Sequence, residues 1–250
     1  MSPSQAAIER YITPENTPDN RPGYIIQIQH TDEKELEKQL IARLGQCVLT
    51  APSANVFDAM IEQFKEGKYN IGRKLAYFGD GFEYKDNRFN RKVWVVPRMD
   101  EDFVIEENIW FTTGYDSNFT LFADSRENAI RAAENAISAI GSVEGVITIG
   151  VNGIIATASK KGSKKYKFLR ASVQEKVYPS LKSKIANSDV PENAKAAYEI
   201  VPIGLSFELV KEAFRRGVLA AKESKGVLAI TASNYGGELG DRKIYLMDVI

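Results

Sequence analysis

Residues 197–231, AYEIVPIGLSFELVKEAFRRGVLAAKESKGVLAIT, contain the pattern on which the fold turns. Ala197 to Ile203 is an apolar run of the kind that forms a strand, and Ser206 stands where a helix cap is needed. Leu209, Val210, Ala213, Phe214 and Gly217 then recur at the spacing of one helix face. Val227 to Thr231 reads as a second strand. The same strand–helix–strand pattern occurs upstream. Phe119 to Ala123 is a strand, Asp124 or Ser125 the cap, and Ile130, Ala133, Ile137 and Ile140 the helix stripe. Gly141 ends that helix, and Val146 to Ile149 follows as a strand. Nearer the N-terminus, Tyr24 to His30 alternates like a half-buried strand. Thr31 and Asp32 can cap a helix carrying Leu36, Leu40 and Leu44. Gly45 is read as its stop, and Cys47-Val48-Leu49 as the next strand.

Some residues recur as well as the pattern. Cys47-Val48-Leu49-Thr50-Ala51 is echoed by Val227-Leu228-Ala229-Ile230-Thr231-Ala232, and Arg73-Lys74-Leu75-Ala76-Tyr77 by Arg242-Lys243-Ile244-Tyr245-Leu246. We read two related lobes, 1–112 and 113–250, with the seam between Trp110 and Asn118. Lys92 to Val96 and Phe103 to Ile105 add short β-rich runs, and Asn152-Gly153 predicts a type I′ hairpin within Val146 to Ser159. Crossovers mixed with hairpins make the class α+β: two similar lobes of mixed or antiparallel sheet with layered helices, a ferredoxin-like duplication. The second lobe has two strand–helix–strand units and the first only one. The first lobe is therefore expected to be incomplete, lacking a unit before residue 1, with a bare face that calls for a partner subunit.

The 250 residues carry 33 Lys+Arg and 33 Asp+Glu, and 44% of them are hydrophobic, which excludes a disordered chain. Zero net charge gives no electrostatic footprint for nucleic acid. No run is apolar enough to span a bilayer, and residues 1–20 show no secretory signal, so a cytoplasmic protein is expected. A single cysteine, Cys47, excludes an internal disulfide and a multi-cysteine metal site. The single histidine, His30, closes a strand ahead of a helix cap, which gives little support to a Ser-His or Cys-His nucleophile. No zinc or nucleotide-phosphate motif is present.

What remains are loops and a few carboxylates. Gly79-Asp80-Gly81-Phe82 is either a loop that lets backbone approach a ligand or a tight turn with Asp80 in solvent. Ser233-Asn234-Tyr235-Gly236-Gly237 follows a buried strand, and its amides suit a carbonyl or its oxyanion. Ser163, Lys164 and Lys165 lie in a basic loop that is either a solvated surface or an attractor of anionic substrate. Glu199 alternates with Tyr198 and Ile200 and so lies on the other strand face. There it is either salt-bridged to a lysine or desolvated, with a raised pKa suited to moving a proton.

Asn20-Arg21-Pro22-Gly23, Gly45-Gln46-Cys47-Val48, Phe78-Gly79-Asp80-Gly81-Phe82, Gly162 to Leu169, Ala197-Tyr198-Glu199-Ile200-Val201 and Ile230 to Gly237 follow one another in the order in which they occur in a known family. The chain resembles formylmethanofuran:tetrahydromethanopterin formyltransferase from about Ile8 to Ile250. The resemblance implies an acyltransferase of one-carbon metabolism and methanogenesis. Such an enzyme moves a formyl group from formylmethanofuran to N5 of tetrahydromethanopterin directly, in a ternary complex. It implies no tightly bound cofactor, both carriers being substrates, and no resident metal. It makes Glu199 the acidic catalytic candidate, and Gly79, Asp80, Gly81, Phe82, Ser163, Lys164, Lys165, Ser233, Asn234, Tyr235, Gly236 and Gly237 substrate contacts. It also implies a homo-oligomer, dimer or tetramer. The alternative it leaves is a non-catalytic paralogue or structural subunit that binds a one-carbon carrier or the subunits of a formyltransferase/hydrolase complex.

Overall fold

The computed structural model describes residues 4–232 and 242–250, in two compact units, Met1–Thr113 and Gly114–Ile250. The first unit opens with an antiparallel ribbon of β1 (Gln5–Ile12) and β2 (Gly23–Gln29), whose register shifts between Ile8 and Arg10. Asp32 then starts α1 (Glu33–Arg43), its carboxylate accepting the Glu35 N–H at 2.9 Å. Acidic Glu33 and Glu35 in the first turn and Arg43 in the last complement the helix dipole.

The strand expected at Cys47-Val48-Leu49 does not form. The chain instead continues as a π-helical turn over Leu44–Val48. Leu40, Leu44 and Leu49 are all buried in one cluster with Ile71, Leu75, Phe103 and Ile105. A two-residue strand period cannot put those three on one side, whereas a helical path does. Gly45 is thus not a helix stop. It is a close-approach position, where a Cβ would lie 3.3 Å from the Leu75 side chain.

Next come β3 (Gly67–Tyr69), α2 (Ile71–Ala76), β4 (Tyr84–Arg88), β5 (Arg91–Val96), β6 (Phe103–Glu106) and β7 (Ile109–Phe111). Strands β4, β5 and β6 form an antiparallel meander, and β3 pairs with β7. Trp94 and Val96 of β5 face the α1–α2 cluster, while Val93 and Val95 meet Val104 and Phe57 on the other side. Both faces are covered, which explains an apolar run without alternation. The ribbon is the reverse case, since Ile8, Tyr11, Tyr24 and Ile26 stand exposed.

The second unit comprises β8 (Tyr115–Asp116), β9 (Phe119–Ala123), α3 (Arg126–Ile140), β10 (Val146–Thr148), β11 (Ser159–Lys161), β12 (Ala171–Val173), β13 (Ala196–Ile200), β14 (Pro202–Gly204), α4 (Phe207–Lys222) and β15 (Val227–Thr231). The sheets run β13–β9–β15 and β10–β14–β8, all antiparallel. Only Val201 separates β13 from β14, and two residues separate β8 from β9. The four lines therefore lie in the order β15, β8/β9, β13/β14, β10, the ferredoxin-like arrangement of a βαββαβ chain. Ser125 and Ser206 cap α3 and α4, accepting the N–H groups of Asn128 at 3.3 Å and Leu209 at 3.2 Å.

Both helices cover one sheet face. Phe119, Leu121, Ala123 and Ile200 pack against Ala129, Ala132, Ala133, Ala136 and Ile140 of α3 and Ala213, Phe214, Val218 and Ala221 of α4. The centre of the α3 stripe is alanine, and Ile130 and Ile137 sit half-buried at its flanks. Small residues let the two helices close up: a Cβ on Gly217 would lie 2.8 Å from Ile140 Cδ1.

Two further expectations are corrected. Asn152 and Gly153 have the positive φ angles of a type I′ turn (52° and 78°), but only Val151 and Ile154 pair across it. The partner of β10 is β14, and Ile155 bridges Glu199. The residue echoes do not carry into structure either: 47–48 close a π-helical turn and 49–51 form a turn where 227–231 is strand, and Arg73–Ala76 lies in α2 while Arg242–Tyr245 is not helical. The core predicts its own weak point. Phe214 is fully buried and edge-on to Phe119, with ring centroids 5.5 Å apart. Phe214→Ala should therefore cost about 3–5 kcal/mol, read as a lower urea midpoint with an unchanged slope.

Candidate active site

Glu199 is held from both edges of its strand. Its N–H donates to Ile155 O at 2.9 Å, its C=O accepts the Ile155 N–H at 3.0 Å, and on the other side it registers with Thr120 of β9. Alternation sends Tyr198 and Ile200 into the helix-side core and Glu199 to the opposite face. On that face Thr231, Thr120 and Glu199 form one row across β15, β9 and β13, and Ala229, Phe122 and Ala197 the adjacent one. The segment 158–194 covers it: Ala158, Val177 and Val190 are buried against Phe122, with Tyr178 and Ala194 packed alongside. The Tyr178 hydroxyl donates to Ala158 O at 2.9 Å.

Glu199 is 8% exposed, and its carboxyl makes no hydrogen bond or ion pair among the described residues. Burial pushes its pKa up to about 7, with no opposing charge among the described residues. Of the two readings open in the sequence, the salt bridge is absent among the described residues and the desolvated carboxyl is present. Thr120 lies directly opposite and is 2% exposed, and its hydroxyl has no partner among the described residues.

The basic loop is tied down rather than free. Glu175 pairs with Lys160, and with Lys164 at 2.8 Å, and these two lysines pull its carboxyl down to about 2. Lys165 lies 5.2 Å from the Tyr166 ring centre, and Ser163 Oγ accepts the Tyr166 N–H at 3.0 Å. Glu175 lies two residues before Val177 and three before Tyr178 of the covering segment, so Lys164 is joined through it to the cover over the Glu199 face.

In the first unit, Tyr77–Gly79 form a short helical turn that ends at Asp80 in the left-handed conformation, and Gly81 follows with φ +96°. Gly79 is buried, and the Gly81 N–H donates to Glu83 Oε2 at 2.8 Å. Phe82 is 80% exposed. The expected contacts Ser233, Asn234, Tyr235, Gly236 and Gly237 lie outside the described residues. Cys47 is exposed on its helical turn, contrary to the buried strand position expected for it, and His30 Nδ1 accepts the Asp32 N–H at 2.9 Å. Among the described residues no group of His, Cys, Asp and Glu could hold a metal, and no helix is long and apolar enough to cross a membrane. Sequence reasoning missed Thr120, Glu175 and Tyr178. A threonine inside the apolar strand Phe119–Ala123 was the available signal for the first, whereas the other two had none.

The second unit is an α+β fold that carries both a buried carboxyl with a raised pKa and a lysine-rich hairpin. Residues 1–98 match the family model of formylmethanofuran-tetrahydromethanopterin formyltransferase, and residues 101–249 that of its proximal lobe. The chain belongs to the formylmethanofuran–tetrahydromethanopterin formyltransferase family. The protein of that name from Archaeoglobus fulgidus is 48% identical over 250 residues, which are 100% of this chain and 84% of the relative. The Methanopyrus kandleri one is 45% identical, with 100% and 83% covered. The solved formyltransferase of Methanosarcina barkeri superposes with a TM-score of 0.93 at 44% identity, over 100% of this chain and 84% of that one. A chain in the formyltransferase/hydrolase complex of Methylorubrum extorquens, solved with methylofuran, gives 0.91 at 30% identity, over 99% and 82%.

The raised pKa of Glu199 has a signed consequence for stability. Between the ordinary value of 4.5 and about 7 the folded state holds a proton that the unfolded state has lost. Stability should therefore fall as pH rises through that window, by about 3 kcal/mol in all. Glu199→Gln should flatten this dependence and leave the variant more stable than the parent at pH 8, as measured by urea unfolding across pH.

Proposed function

We propose that this protein transfers the formyl group of formylmethanofuran to N5 of tetrahydromethanopterin, amine to amine, with no covalent link to the polypeptide. The observation that carries the reading is Glu199, a carboxyl that remains protonated up to about pH 7 on a buried strand. The curated relatives' activity supports it. In this reaction the attacking nitrogen adds to the formamide carbon, giving a tetrahedral oxyanion. The old C–N bond then breaks as the leaving amine gains a proton, and the attacking nitrogen gives one up. Neutral Glu199 supplies the first proton, its carboxylate accepts the second, and the side chain ends as it began. Aligning two bound amines replaces the work of a nucleophile, so no Ser-His or Cys-His pair is required.

The remaining assignments belong to the same reading. Residues 1–112 and 113–250 are its two lobes. Gly79, Asp80, Gly81 and Phe82 meet a carrier, Ser233 to Gly237 line the formyl or pterin pocket, and Ser163, Lys164 and Lys165 meet the carriers' carboxylates. Neither carrier is tightly held as a cofactor. The protein works in the cytoplasm as a homo-oligomer, dimer or tetramer, and the exposed apolar ribbon side chains Ile8, Tyr11, Tyr24 and Ile26 support such an assembly. A second reading, a subunit within a formyltransferase/hydrolase complex, is favoured by the match to a chain in the Methylorubrum assembly.

Glu199→Gln should lower kcat at least tenfold in a steady-state assay with both carriers, while circular dichroism stays native. Unchanged turnover would remove Glu199 from the chemistry. Charge removal at Lys164 and Lys165 together should raise KM for the carriers several-fold, with kcat nearly unchanged and a weaker salt dependence than the parent shows.

A further inference from the structure

We propose that Thr120 is a positioning residue for Glu199, its hydroxyl standing ready to donate a hydrogen bond to the carboxylate once Glu199 has given up its proton. The proposal rests on the role assigned above to Glu199.

Three observations meet at this residue. Thr120 is registered directly opposite Glu199 on the neighbouring strand, so the two side chains leave the sheet on the same face. It is 2% exposed in a strand whose other members, Phe119, Leu121, Phe122 and Ala123, are all apolar and buried. Its hydroxyl has no partner among the described residues, although a buried polar group without one is costly. A valine would fill the same space without that cost. Among the described residues the hydroxyl is therefore idle while Glu199 is neutral, and it has a use when a negative charge forms a strand's width away. An interaction made only after proton transfer stabilises the charged state along the reaction without tightening the ground state, which is the kind that raises kcat.

Among the described residues the surroundings leave few other donors. Facing the same side are Ala197 from β13, Phe122 from β9, Ala229 and Thr231 from β15, and Ala158, Val177, Tyr178, Val190 and Ala194 from the covering segment. The titratable groups among them are Glu199 and Tyr178. The Tyr178 hydroxyl proton is already committed to Ala158 O, and its pKa is raised, chiefly by burial and further by the Glu199 charge. Thr231 is registered with Thr120, so it lies one strand further from Glu199.

The test compares Thr120→Val and Thr120→Ser with the parent and with Glu199→Gln, using both carriers. Thr120→Val should fold, with a thermal midpoint equal to or above the parent's, because it deletes an unsatisfied hydroxyl. It should lower kcat about tenfold, the scale of one hydrogen bond to a charged group, with KM nearly unchanged. Losing a donor to the carboxylate favours the protonated acid, so the alkaline limb of the pH–rate profile should move to higher pH. Thr120→Ser should restore both rate and limb, and Thr120→Val added to Glu199→Gln should slow the enzyme no further. A tenfold-impaired Glu199→Gln beside a Thr120→Val with parental kcat and limb would overturn the proposal and leave the role of Glu199 standing. A loss of activity in Thr120→Val that serine does not restore, or that comes with a lowered midpoint and an unmoved limb, would also overturn it, assigning Thr120 to packing. Full turnover in Glu199→Gln would end both.

Discussion

A single carboxyl group kept from water, with no counter-charge among the described residues, is the constraint around which the second unit is organised. An ionised glutamate in that place lacks the solvation that water would give it, so the protein keeps it protonated to near neutral pH. That outcome requires a strand that cannot shift. Glu199 is paired through its backbone with Ile155 on one side and registered with Thr120 on the other, and a slip of one residue would exchange it with Tyr198 or Ile200. The acid is positioned by the register of a sheet rather than by a hydrogen bond to its own side chain.

The helix layer makes that register unequivocal. Phe119, Leu121 and Ile200 are fully buried beneath α3 and α4, so the face to which each residue of β9 and β13 belongs is fixed by burial. The alanines along α3 and Gly217 on α4 allow the two helices to seat closely on the strands. The face carrying Glu199 is thus specified from behind, by side chains on the opposite side of the sheet. On the front, the segment carrying Ala158, Val177, Tyr178 and Val190 excludes water, and Glu175 clasps that segment to Lys160 and Lys164 of the basic hairpin.

Much of the second unit was legible in its sequence. The strands Phe119–Ala123 and Val227–Thr231, the serine caps and the face occupied by Glu199 follow from two- and four-residue periods, which are local properties. The first unit was less legible. Cys47-Val48-Leu49 has strand-forming composition yet coils, because Leu40, Leu44 and Leu49 are all claimed by one cluster with Ile71, Leu75 and Phe103. Ile8, Tyr11, Tyr24 and Ile26 look like core residues and stand exposed. Apolar content says that a side chain favours burial, not what is present to bury it.

By itself the sequence determined the α+β class, the order of elements and caps in the second unit, and the family to which the chain belongs, because periodicity, capping chemistry and residue order are all read along one dimension. Only the tertiary structure decided that β13 and β14 run on as one line between β9 and β10, and that Glu175 engages two lysines. It also decided that, among the described residues, Glu199 has no counter-ion and Thr120 faces it with an unpartnered hydroxyl. Those are statements about which distant groups meet and which remain alone. A pKa, like a hydrogen bond, is set by such neighbours and not by the residue that carries it.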